Sequence, residues 1–111
     1  MDDEKIISAL EEFNIPVGNK RIYENELEGG YHYFILRHGK LVDNGCGKFS
    51  RQIIVAYVYE GEQTISDYEI INKLKALNLN FVSMDSDDFQ IANTNNWVDM
   101  NTFIFSRPER G

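Results

Sequence analysis

Arg51-Gln52-Ile53-Ile54-Val55-Ala56-Tyr57-Val58-Tyr59-Glu60 is the stretch on which the fold turns. It is rich in β-branched and aromatic residues and has no breaker, so it reads as a strand. Ile53, Val55, Tyr57 and Tyr59 face one side, and Ile54, Ala56 and Val58 the other. Neither side is polar. Such a strand is either covered on both faces or lies partly in a subunit interface. Upstream, Tyr31-His32-Tyr33-Phe34-Ile35-Leu36-Arg37 reads as its hairpin partner.

The connection from His38 to Ser50 is long for a hairpin. Asn44-Gly45 suits a tight turn with positive φ, which would extend the hairpin as a projecting arm. The three glycines, Gly39, Gly45 and Gly47, are equally compatible with a disordered loop. Cys46 is the only cysteine, which leaves no intrachain disulfide and suits a reducing compartment. Nothing adjacent in sequence would activate its thiol.

Two helices flank the hairpin. From Asp3 to Phe13, Ile6, Ile7, Leu10 and Phe13 share one face, and Asn14 and Pro16 supply a stop. Ser66-Asp67-Tyr68-Glu69 is a capping box, with Ile65 and Ile70 at the positions of a hydrophobic staple. Ile70, Ile71, Leu74 and Leu77 form the apolar stripe behind it, and Asn78 is a left-handed end signal. Phe81-Val82-Ser83-Met84 and Asn101-Thr102-Phe103-Ile104-Phe105 read as two closing strands. A polar stretch from Asp85 to Asn96 separates them, and residues 107–111 read as a frayed tail. The prediction is one α+β domain over residues 1–111, ordered α-β-β-α-β-β. Its helices pack on a small, mainly antiparallel sheet, with a projecting hairpin tip at about residues 38–50.

Charge is unevenly spread. The chain carries −7 overall, but residues 31–60 hold four bases against two acids, and both histidines. An acidic body with one basic segment argues against a broad grip on phosphate backbones. The acidic Met1-Asp2-Asp3-Glu4 start and the lack of a long apolar run predict neither a signal peptide nor a membrane span.

The residues give little sign of catalysis. Asp85-Ser86-Asp87-Asp88 resembles the start of a calcium loop, but Gln90 and Asn96 stand where glycine and glutamate are needed. His32 and His38 share a strand face yet lie about 20 Å apart along an extended backbone, without ligand partners in sequence. Gly29-Gly30 and Gly45-x-Gly47 lack the spacing of a phosphate cradle. No serine elbow and no carboxylate marked for burial is visible. The reading is of a non-enzyme with no cofactor or metal.

The basic cluster Arg37, Lys40, Lys48 and Arg51 at the hairpin tip remains as a docking arm. In a ring of identical subunits it would reach the acidic segment Glu24, Glu26 and Glu28 of the next copy. Tyr57 and Tyr59 are the further interface candidates, from the doubly apolar strand.

This order of elements resembles the small tail-completion proteins of long-tailed bacteriophages, the tail-terminator and head–tail joining group. An amphipathic helix leads to a connector with Arg21-Ile22-Tyr23. An aromatic strand, a Gly-rich tip, a long apolar strand, a capped helix and two strands follow. The resemblance spans roughly residues 6–105 and rests on element order more than on fixed residues. It implies a ring, commonly a hexamer, between the tail tube protein and the head-connector protein, located in the virion neck and in host cytoplasm during assembly. DNA would pass through the lumen without specific binding; no membrane or small-molecule substrate is implied. The stretch from Asp85 to Asn96 departs from that pattern. Two competing readings remain. One is an acidic inhibitor or decoy occupying a basic groove, and the other a small enzyme or ligand-binding domain, which would need a deep polar pocket.

Overall fold

The structure is a computed structural model and describes residues 3–20, 31–91 and 94–110. Two helices, α1 (Asp3–Glu11) and α2 (Asp67–Lys75), accompany five strands. These are β1 (Val17–Asn19), β2 (His32–Gly45), β3 (Lys48–Tyr59), β4 (Asn80–Gln90) and β5 (Trp97–Arg110). They form one sheet in the order β1-β2-β3-β5-β4. All neighbours are antiparallel except β1 with β2. The expected α+β class holds, with two additions. Val17-Gly18-Asn19, just past the stop at Pro16, is a parallel edge strand, and the closing strands are far longer than their apolar centres suggested.

Sheet order explains the doubly apolar strand. β3 is the central strand, so each of its faces needs a cover of its own. On one face Ile53, Val55 and Tyr57 are fully buried beneath both helices. Ile6 and Leu10 of α1, and Ile70 and Leu74 of α2, pack there with Phe34, Leu36, Phe103 and Phe105. On the other face Val58 joins Tyr33 and Val98, flanked by Tyr31, Ile35, Ile91 and Met100. The greasy surface that suggested a subunit interface is therefore hidden largely within the chain itself. That expectation is corrected: of the apolar residues of β3, only Phe49, Ile54 and Tyr59 stay half-exposed.

Both helices end as their sequences direct. Ser66 caps α2, its hydroxyl accepting from the Glu69 N–H at 3.1 Å, and Ile65 and Ile70 meet in the core. Asn14 and Asn78 turn the chain with φ of 64° and 66°, the left-handed conformation that asparagine tolerates best after glycine.

Beyond the helices, β2, β3 and β5 run on together as a three-stranded arm, and the molecule measures 51 × 26 × 25 Å. The 38–50 connection is thus strand for most of its length. The turn falls on Cys46-Gly47, with φ of 55° and 73°, between the paired Gly45 and Lys48. Two consecutive positive φ values match the twist of a hairpin. Asn44-Gly45, the expected turn, sits two residues early; Asn44 instead donates its amide to Ser50 Oγ at 2.6 Å. Nor do residues 107–110 fray. They pair with Arg51, Ser50, Phe49 and Lys48, and Pro108 is accommodated because β5 is the outer strand at that level.

Candidate functional site

The four basic residues of the expected docking arm divide by the pleat of the sheet. Arg51 pairs across the ladder with Arg107 on the helix-covered face. Two guanidiniums side by side repel, and a carboxylate frame holds them. Arg51 lies 3.7 Å from Glu109, while Arg107 lies 3.0 Å from Glu109 and 3.5 Å from Asp3. Asp3 in turn accepts the His38 Nε2–H at 3.0 Å. This network ties the first turn of α1 to the root of the arm. The hydrogen bond from Arg107 outweighs desolvation and, with the charges of Arg51, Arg107 and His38, holds the Glu109 carboxyl below its ordinary value of 4.5. Arg51 is therefore half-buried and engaged within the chain. Arg37, Lys40 and Lys48 are exposed along the arm.

Tyr57 is corrected from interface residue to core. It is fully buried, shares a hydrogen bond of 2.8 Å with His32, and stacks tilted at 5.1 Å on both Phe34 and Tyr59. Tyr59 is half-buried at the sheet end away from the arm, its hydroxyl donating to Gln63 Oε1 at 3.4 Å. Desolvation, then the charges of Asp99 and Asp67, raise its pKa, so it stays a neutral donor. Glu24, Glu26 and Glu28 lie outside the described residues, as does Arg21-Ile22-Tyr23.

The two histidines share the helix-covered face, as expected, but sit at opposite ends of it, each taken by a partner of its own. Asp85-Ser86-Asp87-Asp88 forms no calcium loop because it lies within β4, where successive side chains alternate between faces and cannot converge on one ion. Among the described residues no group of three or more His, Cys, Asp or Glu is arranged to hold a metal, and no helix is long and apolar enough to cross a membrane. Three grooves among the described residues are open to solvent. The one at the arm, about 420 Å³, is lined by Asn44, Lys48, Phe49, Ser50, Pro108 and Glu109.

What the sequence reading missed is on the sheet edges. β4 is an outer strand, and Phe81, Val82, Asp85, Asp87, Asp88 and Phe89 are exposed along it, with Trp97 opposite its end. On the arm, Leu41 and Val42 are 48% and 42% exposed. The available signal for β4 was Phe89-Gln90 facing Trp97-Val98 across a short polar turn; aspartate's low strand propensity masked it. Comparison with protein-family models and with curated proteins finds no match to this chain.

Proposed function

We propose that the chain is a self-assembling structural subunit, of the kind that forms a ring at the neck of a long-tailed bacteriophage. There it would cap the tail tube and join it to the head connector. The observation that carries this reading is the arm. Three strands continue some 10 Å past Arg51 and Arg107, the level at which Asp3 of α1 is bound, at about 3.3 Å per residue, and residues 40–48 are all exposed. This extension buries no core of its own, and it presents Leu41 and Val42 to solvent. A folded, two-bulged β arm with apolar residues on it is an interaction element. The small α+β fold agrees with the resemblance drawn from element order. The net charge of −7 suits a lumen through which DNA slides without being held.

Sedimentation equilibrium of the purified protein over a concentration series tests the reading. A discrete multiple of the 12.9 kDa subunit that appears as concentration rises supports it, and ring-shaped particles by negative-stain microscopy support it further. A strict monomer at the highest concentration overturns it. That outcome would favour the acidic decoy, for which the run of exposed aspartates on β4 is the supporting feature.

A further inference from the structure

We propose that copies join edge to edge, the outer edge of the arm of one copy, residues 37–45 of β2, adding as a strand to β4 of the next. This inference rests on the reading of the chain as a self-assembling subunit and names the surfaces that do it.

Backbone comes first. Strand edges carry rows of N–H and C=O groups that template pairing with another chain. Among the described residues the sheet has two such edges. No described strand lies along the outer side of β4. β2 is covered by β1 only at Phe34, Ile35 and Leu36, closed by the Lys20 N–H donating to Leu36 O at 2.7 Å. From Arg37 outward no described strand lies beside it.

Charge then selects the pairing. β4 carries Asp85, Asp87 and Asp88 and no basic residue, so two β4 edges repel each other. The arm edge carries Arg37 and Lys40, both exposed, before its single Asp43. Through the register of the sheet, Arg37 lies on the same face as Asp85 and Asp87, the face opposite the helices. In a sheet continued from one copy into the next, these opposite charges line one surface. Leu41 and Val42 on the arm edge, with Phe81, Val82 and Phe89 on β4, supply exposed apolar area to both sides.

Direction and stagger also fit. β2 runs toward the arm tip, and β4 starts opposite Ser106, near the arm, and runs away from it. Copies pointing the same way, as in a cyclic ring, therefore present β2 and β4 antiparallel. The arm segment sits about six residues, roughly 20 Å, beyond the level of Asp85. One repeat of β2, β3, β5 and β4 spans roughly 19 Å at the usual strand spacing. Joining them tilts the strands about 45° from the ring axis, at the upper end of the range that closed barrels adopt. Because the two edges differ, the contact is head to tail, the type that closes rings.

The test is a charge swap read by sedimentation equilibrium at low salt. Two variants, Arg37→Glu/Lys40→Glu and Asp85→Lys/Asp87→Lys, each weaken association about tenfold or more, and a chain carrying all four changes regains it. All four side chains are exposed, so each variant keeps the wild-type circular dichroism and thermal midpoint. A wild-type oligomer indifferent to both pairs, or a quadruple variant that stays dissociated, overturns the edge-to-edge contact alone. A monomeric wild type overturns the self-assembly reading itself.

Discussion

Asn101 is the one buried polar side chain among the described residues, 3% exposed on β5, and its amide predicts how firmly α2 is held. Its Nδ2–H donates to Asp67 Oδ1 at 2.8 Å, in the first turn of α2, and its Oδ1 accepts from Ser86 Oγ at 2.9 Å on β4. Asn101→Ala removes both bonds. A hydrogen bond to a charged acceptor contributes about 1.5–3 kcal/mol and a neutral one about 1. Ser86 is exposed and rebinds water, while Asp67 keeps the Gln63 Nε2–H at 2.7 Å, so the upper values do not apply. The expected loss is about 2 kcal/mol, or roughly 8 °C in thermal midpoint at about 4 °C per kcal/mol for a domain of this size. Urea denaturation followed by circular dichroism measures it. Asn101→Asp should cost more at neutral pH, because it sets a second carboxylate against Asp67 at a buried position. Repulsion and burial would raise the pKa of the introduced carboxyl in the fold. Its destabilisation is then present at high pH and relieved as pH falls through that raised value, closing the gap to the alanine variant. A loss under about 0.5 kcal/mol for Asn101→Ala, or an aspartate no worse than alanine at pH 7, would refute the clamp and leave the docking of α2 to Ile70 and Leu74.

The Glu109 carboxyl titrates below its ordinary 4.5, so the network at the arm root is fully formed above that pH and weakens as pH falls below it. Arg107→Gln should return the titration toward 4.5 when followed by carboxyl NMR; an unchanged midpoint would remove Arg107 as the cause. Cys46 holds φ of 55°, which costs a non-glycine residue about 1–2 kcal/mol, and Cys46→Asn should stabilise the chain by up to about 1 kcal/mol in urea denaturation. A loss of stability there would count against the Cys46-Gly47 turn. Gly39→Ala places a Cβ 2.7 Å from Gln52 Oε1 and 2.9 Å from Gln52 Cβ, where Gln52 already accepts the Lys40 N–H. The strand pair must shift, at about 1–3 kcal/mol, and hydrogen exchange should quicken at residues 40–45 before it does in the core; wild-type protection there would contradict the close approach.

Local signals in the sequence were faithful wherever the chain decides its own structure. The Ser66 cap, the Ile65–Ile70 staple, the stop at Asn14 and the left-handed Asn78 act through neighbours a few residues away, and each appears as read. The long strands were legible only in their apolar centres. Asp85 to Gln90 and Arg107 to Arg110 are strand because partners across the ladder fix them, and local propensity records no such partner, whether it lies 7 to 17 residues on, as for Asp85 to Gln90, or dozens of residues away, as for Arg107 to Arg110. The apolar character of both faces of β3 was real, but it reported a central strand rather than an interface. A central strand covered by helices on one side and by a small cluster on the other has the same residue pattern as one covered by a second subunit. Tyr57 was misplaced for that reason, and the exposed β4 edge escaped notice for the converse one, its composition being that of a turn.

The same pleat decides which cations of the arm are available to a neighbour. Arg37 and Arg51 look equivalent in sequence, one at each root of the hairpin, yet Arg37 stands opposite Ile54, and Ile54 and Arg51, three residues apart on β3, point to opposite faces. Arg51 stands beside Arg107 and Glu109, so Arg51→Glu would bring a second carboxylate up to Glu109 and loosen the arm from α1. A loss of assembly in that variant would follow from either cause, a missing docking charge or a displaced arm. Arg37 has no place in that network and is exposed on the other face, so Arg37→Glu alters charge toward a neighbour while leaving the arm root intact. The two reversals should therefore separate on stability: Arg51→Glu lowers the thermal midpoint and Arg37→Glu does not. Equal midpoints would mean that the network does not hold the arm. The assignment of Arg51 to the inside of the molecule would then fail along with it.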